Sequence, residues 1–218
     1  RHRWFVTGAQ YDFGLVLLAL WLFTQLNPVT LLFGNGDLRG LLEPPPAALH
    51  PAVVFIQAEA VVAACNLVAV GLFLSCLTHD GRPLRRLLLA LLAGALALKT
   101  VAVGVLLKAQ DVFAWLTPGA LLGLVGGALV LMLAVALPRA ARRALAGLLL
   151  MAATVLVNQA PANPYFANAL QQWPQGYYLN FNGVTHLVSL AWPFVALFYL
   201  MLLAPRPAGE GGKSPDKL

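Results

Sequence analysis

The sequence predicts an all-α, polytopic transmembrane helical bundle of about six helices, and three observations predict it. Of 218 residues, 60% are hydrophobic and only 10% are charged, whereas a soluble domain carries roughly 25% charged residues. The apolar residues fall in long runs separated by segments rich in Pro, Gly and charge, and the basic residues gather at every second junction. With 14 basic and 8 acidic side chains and a mean hydropathy of +0.79, the chain cannot coat a water-facing surface with polar groups. Lipid is the solvent that this composition suits.

A crossing of the hydrocarbon takes about 20 mostly apolar residues. Spans are expected near 11–33, 52–77, 87–107, 112–137, 144–160 and 184–203, the fifth being the shortest. None shows the alternation of a barrel strand, and backbone groups in hydrocarbon must pair within their own segment, so each is expected to be a helix. Breakers mark the ends: Pro44-Pro45-Pro46 and Pro51 before the second span, Gly81 and Pro83 before the third, Pro138 after the fourth. The first apolar run leads into Thr24-Gln25-Leu26-Asn27-Pro28, which is not a small-residue cleavage site, so it is expected to remain as a span. An outer interfacial loop is expected over 161–183. The tail, 204–218, is rich in Gly, Pro and charge and is expected to be a disordered cytoplasmic segment.

The formal net charge of +6 does not point to nucleic acid, which would need a basic face in water. Eleven of the 14 basic residues instead form four clusters: Arg1 and Arg3; Arg82, Arg85 and Arg86; Arg139, Arg142 and Arg143; Arg206, Lys213 and Lys217. The intervening loops hold only Arg39 and Lys108. By the positive-inside rule, both termini lie in the cytoplasm, which requires an even number of spans. A bacterial-type inner membrane is the expected location.

Two polar residues lie deep in the spans. Glu59 and Lys99 sit at matching depth, roughly 10 to 12 Å below the outer interface at 1.5 Å per residue, on helices expected to be antiparallel neighbours. An ionised group near mid-membrane costs about 2.5 to 3.5 kcal/mol, so the two are expected to pair. Such a pair would either fix helix register or take part in an ion, proton or substrate path. Asn66 lies two turns below Glu59 and Gln57 above it, a polar stripe that would line a cleft or bond between helices.

Gly119, Gly123 and Gly127 at spacing four, plus Gly126, are expected to make a ridge without side chains along one helix face, which suits close helix packing. The fifth loop is aromatic and amide-rich without charge. It is expected to lie on the outer leaflet, or to present Trp173, Tyr177 and Tyr178 to a sugar or lipid headgroup with Asn180 and Asn182 supplying hydrogen bonds. His186 stands one turn into the last span, near that surface. No catalytic constellation, metal motif or cofactor motif emerges. Cys65 and Cys76 would lie about 16 Å apart along one helix, beyond disulfide reach.

Two passages resemble the VanZ-like membrane proteins, a bacterial family named for a member associated with resistance to the glycopeptide teicoplanin. Glu59-Ala-Val-Val-Ala-Ala-Cys-Asn66-Leu-Val-Ala-Val-Gly71 is similar to that family's acidic residue, asparagine and later glycine in a hydrophobic helix. Asp111-Val-Phe-Ala-Trp-Leu-Thr-Pro-Gly119-Ala-Leu-Leu-Gly123 resembles its Asp and Gly-Ala-Leu-Leu-Gly at the opening of the next helix. The resemblance covers about residues 52–130 and implies a divergent member of the cell envelope. The expected role is a non-enzymatic accessory or scaffold whose partners are membrane lipids and other membrane proteins. Two other roles stay open: a small transporter using Glu59 and Lys99, and a membrane enzyme on lipid-linked substrates.

Overall fold

Between helices in lipid there is no hydrophobic drive, so small residues, polar groups and breakers decide how such helices assemble. The computed structural model describes residues 4–28, 30–39, 41, 51–79, 83–106, 112–160 and 181–203. Among them, six α-helices follow one another: α1 (Ala9–Thr24), α2 (Ala52–Leu77), α3 (Leu84–Val101), α4 (Pro118–Ala134), α5 (Arg139–Gln159) and α6 (Phe181–Leu202). The described residues contain no strand, only an isolated bridge between Phe5 and Thr78. Four stretches, Ala52–Leu77, Leu84–Val105, Arg139–Gln159 and Gly183–Leu202, are long and apolar enough to cross a membrane. The helices α1 and α4 are shorter, at 16 and 17 residues. This is the make-up of an integral membrane protein.

The central element is α2, whose 26 residues span about 39 Å at 1.5 Å per residue. It packs chiefly against α4 and α5, and every residue from Asn66 to Leu77 is buried. The α5 side of that contact uses Ala146, Leu150, Ala153 and Val157, one face of a helix at alternating spacings of four and three. The α6 helix closes the bundle against α1 and α5, with Trp192 near both Trp21 and Phe73 at centroid distances of 6.5 Å. Its indole N–H donates to the Leu17 carbonyl at 2.7 Å.

At one end of α2 its last carbonyls are met by two other segments. The Val6 N–H donates to the Leu77 carbonyl at 3.0 Å, and the Arg139 guanidinium donates to the Thr78 carbonyl. A cation there complements the negative end of the helix dipole. This also explains why α5 starts at Arg139, earlier than the apolar run beginning near residue 144: Pro138 precedes the helix and Arg139 is occupied by α2.

The largest departure from the sequence reading is the first span. Its helix ends at Thr24, not near Phe33, and the described residues that follow, 25–28 and 30–38, are irregular and largely buried. Asn27-Pro28 accounts for the stop, because proline donates no N–H and disfavours helical geometry in the residue before it. Phe33 adopts a positive φ of 60°, a left-handed conformation that is costly for a bulky residue. Its full burial, with its ring 5.4 Å from that of Trp21, offsets that cost. Hydropathy does not separate a helix from an unwound segment that protein surrounds on all sides, and only the latter is tolerated at membrane depth.

Two more boundaries moved. After Val101, α3 passes into a π turn, Ala102–Leu106. The α4 helix opens at Pro118 rather than near residue 112, because Thr117 caps it: the Thr117 hydroxyl accepts from the Ala120 N–H at 3.0 Å, with Pro118 in the first turn, where its missing N–H costs nothing.

Candidate functional site

The polar groups of the apolar helices converge on a belt around the irregular segment that follows α1. Lys99 is its centre. It lies on α3, is 1% exposed, and its ammonium donates to the Asn27 carbonyl at 2.8 Å, the Thr30 carbonyl at 2.7 Å and the Thr30 hydroxyl at 3.2 Å. An ammonium has three N–H groups, and three acceptors meet them. Both carbonyls lie beyond the end of α1, on either side of Pro28, so the same break that unwinds the chain creates the cation's cradle. Bonds to charged groups are worth about 1.5 to 3 kcal/mol each. Two of them offset the roughly 2.5 to 3.5 kcal/mol that a lysine costs at the centre of a span.

Glu59 on α2 is 4% exposed and finds a different partner. Its carboxylate Oε2 accepts from the Thr117 hydroxyl at 2.6 Å, at the N-terminal end of α4. The partial positive charge of a helix start favours an anion there. Thr117 thus serves two roles with one hydroxyl, donating to Glu59 and accepting from Ala120. The direct Glu59 to Lys99 bond expected from their matching depth does not form. Each charge acts on the other through space, but one is held at the start of α4 and the other beside the end of α1. Depth fixes one coordinate; the direction around each helix decides the partner.

The rest of the belt fastens the irregular segment to α5 and α6. Asn158 donates from Nδ2 to the Gly36 carbonyl at 2.7 Å, and its Oδ1 accepts from the Leu38 N–H at 2.7 Å. Ser189 donates to Asn35 Oδ1 at 2.8 Å, and its carbonyl accepts from the Gly36 N–H at 2.9 Å. Arg39 forms an ion pair with Asp37 at 2.6 Å and donates to the Ala160 carbonyl at 2.8 Å. The hydrogen bonds that Arg39 donates to the Asp37 carboxylate raise the Arg39 pKa above its ordinary value, with burial pulling the other way.

Gly119, Gly123 and Gly127 all lie against α2. A Cβ on Gly119 would stand 2.5 Å from Glu59 Oε2, one on Gly123 2.6 Å from the Ala60 carbonyl oxygen, and one on Gly127 2.9 Å from the Ala64 Cα. The backbones of α2 and α4 therefore touch, as small residues permit. Gly126 faces away, with nothing within 4 Å of its Cβ position.

The other sequence candidates are dispersed. Asn66 is buried and donates to the Val62 carbonyl of its own helix at 3.0 Å, while Gln57 is exposed, so the two do not extend Glu59 into a stripe. His186 is half-buried on α6. Trp173, Tyr177, Tyr178 and Asn180 lie outside the described residues, as does the side chain of Asn182. Thr117, Asn35, Asn158 and Ser189 were missed by the sequence reading. Thr117-Pro118 carried a signal, a capping residue followed by proline; single amides and hydroxyls in apolar runs carry none. Among the described residues, no group of three or more His, Cys, Asp or Glu is placed to hold a metal ion.

No protein-family model, curated protein or solved structure matches the chain.

Proposed function

We propose that this chain is a VanZ-like accessory of the bacterial cell envelope: a non-enzymatic scaffold in the inner membrane, with both termini cytoplasmic and an outer face that contacts lipid or glycan headgroups. The observation that carries the scaffold reading is the saturation of Lys99. A lysine on a transport path must exchange partners, whereas this ammonium has all three donors committed to Asn27 and Thr30. What supports the resemblance is that its two passages meet, Glu59 of the first touching Thr117 and Gly119 of the second. The orientation rests on the arginines. Arg85, Arg86, Arg139, Arg142 and Arg143 sit at the junctions from α2 to α3 and from α4 to α5, which the positive-inside rule assigns to the cytoplasm.

The test is native mass spectrometry of the purified protein with its co-purifying lipids and lipid-linked glycans, repeated for Trp173→Ala and Asn180→Ala. A retained headgroup species that both substitutions remove, with the fold intact, is the expected result. Retention of the same species by both variants contradicts recognition at the outer face. Cysteine labelling that places residues 161–183 in the cytoplasm contradicts the orientation.

One observation favours a second reading, a small transporter. A chain that unwinds inside the bundle and is held by Lys99, three residues before a π turn at Ala102–Leu106, is a feature shared with many transport and ligand sites. Under that reading Glu59→Ala abolishes a measurable flux while leaving the protein folded; under the scaffold reading no flux depends on Glu59.

A further inference from the structure

The α3 helix is buried most deeply in its second half. Its buried residues are Ala95 and Lys99, both in its second half, and Thr100 accepts from the Trp115 indole N–H at 3.1 Å. Toward its first turns it is only partly buried, with Leu87, Leu88, Leu91 and Leu92 against the core, and a cavity of about 330 Å³ opens between α3 and α4 over the surface of α2. That volume lies within the range of small-ligand sites, roughly 300 to 1,000 Å³.

Three properties describe what fits there. The walls are almost wholly apolar, with Leu67 and Gly71 of α2, Leu88 and Leu92 of α3 and Ala128 of α4 among them. The rim residues Leu89 and Met132 are 66% and 65% exposed, so the opening faces whatever surrounds the helices. Arg85 lines the cavity as well, in the first turn of α3 and at the end of the bundle that carries the arginines of the α4 to α5 junction. From Arg85 to Leu92 the helix rises about 10 Å.

Close-packed interiors leave no such space empty, and for helices in a bilayer the material at hand is an acyl chain. A basic group at the mouth of an apolar cleft between spanning helices matches an anionic lipid headgroup. We propose that this groove holds one acyl chain of an anionic phospholipid, with the lipid phosphate resting on Arg85. The site rests only on the chain being embedded in a bilayer. It is separate from the outer-face recognition proposed above, and either can fail alone.

Trp21, which is 1% exposed and lines the same cavity, gives a direct readout. The full chain is placed in phosphatidylcholine vesicles containing a minor fraction of phosphatidylglycerol, with bromine on the acyl chains of one lipid or the other. The Trp21 signal is the difference from Trp21→Phe. Brominated phosphatidylglycerol should compete for the site about fivefold better than brominated phosphatidylcholine, the equivalent of roughly 1 kcal/mol for one basic residue at an anionic surface. Arg85→Gln should abolish that preference, and Ala128→Phe, which fills the groove, should remove quenching by both lipids. Inorganic phosphate should not displace the chain. Native mass spectrometry of phosphatidylglycerol retained by the parent, Arg85→Gln and Ala128→Phe proteins gives the same comparison without altering Trp21. Equal quenching by both lipids, a preference that survives Arg85→Gln, or no quenching because a helix of a second copy fills the groove would each overturn the proposal.

Discussion

The α2–α4 contact and the position of α3 are two solutions to one problem. Both involve apolar helices that lipid would solvate as readily as protein does. Between α2 and α4 three glycines bring the backbones together, so that a Cβ on Gly123 would meet the Ala60 carbonyl oxygen and the Ala63 Cβ, both at 2.6 Å. The α3 helix has no such face. Its leucines are only partly buried against the core, Lys99 ties it to the carbonyls of Asn27 and Thr30, and an open groove remains at its other end. The first contact gains from dispersion along a whole helix. The second depends on a point charge that would be costly anywhere else in the span. Association of helices in a membrane can thus be spread over a surface or concentrated in one residue, and the two should fail differently.

The largest effect is expected where packing is tightest. Gly123→Leu should destabilise the protein by about 3 kcal/mol, since backbone rather than a movable side chain blocks the new group. Thermal unfolding in detergent checks this, and an unchanged midpoint would break the claim of backbone contact. Lys99→Met keeps the length of the side chain but removes the ammonium from the Asn27 and Thr30 carbonyls, leaving the Thr30 hydroxyl as a donor to Asn27, which should cost about 2 kcal/mol after the relieved burial of charge. A Lys99→Met protein as stable as the parent would mean that α3 is held by something else. Thr117→Val removes both a helix cap and the hydrogen bond to Glu59 and should cost about 1 kcal/mol or somewhat more, while Thr117→Ser should restore most of it. Gly126→Leu is the contrast to Gly123, one turn of the same helix away. Nothing lies within 4 Å of its Cβ position, so the change should stay within about 0.5 kcal/mol.

The helices were legible in the sequence because length and apolarity suffice to mark a span, and α2 was placed from Ala52 to Leu77 without shift. The end of α1 was not. Leu31, Leu32 and Phe33 are as apolar as any helix interior, and hydropathy continued the span through them, although Asn27-Pro28 already signalled a stop. The importance of Lys99 was legible from its energetic cost, and its partners were not. Backbone carbonyls have no sequence signature, and they become acceptors only because the chain unwinds nearby. Glu59 shows the same limit: Lys99 matched it in depth, but Thr117 stood beside it.

Lys99 holds the irregular segment after α1 inside the bundle. Hydrogen–deuterium exchange on the parent and Lys99→Met proteins in lipid nanodiscs measures this directly, because amides that lose their anchorage open locally before the whole fold does. Faster exchange confined to peptides covering residues 25–39 and the second half of α3, with α2 and α4 unchanged, is the predicted result. Identical exchange in the two proteins across residues 25–39 would contradict it.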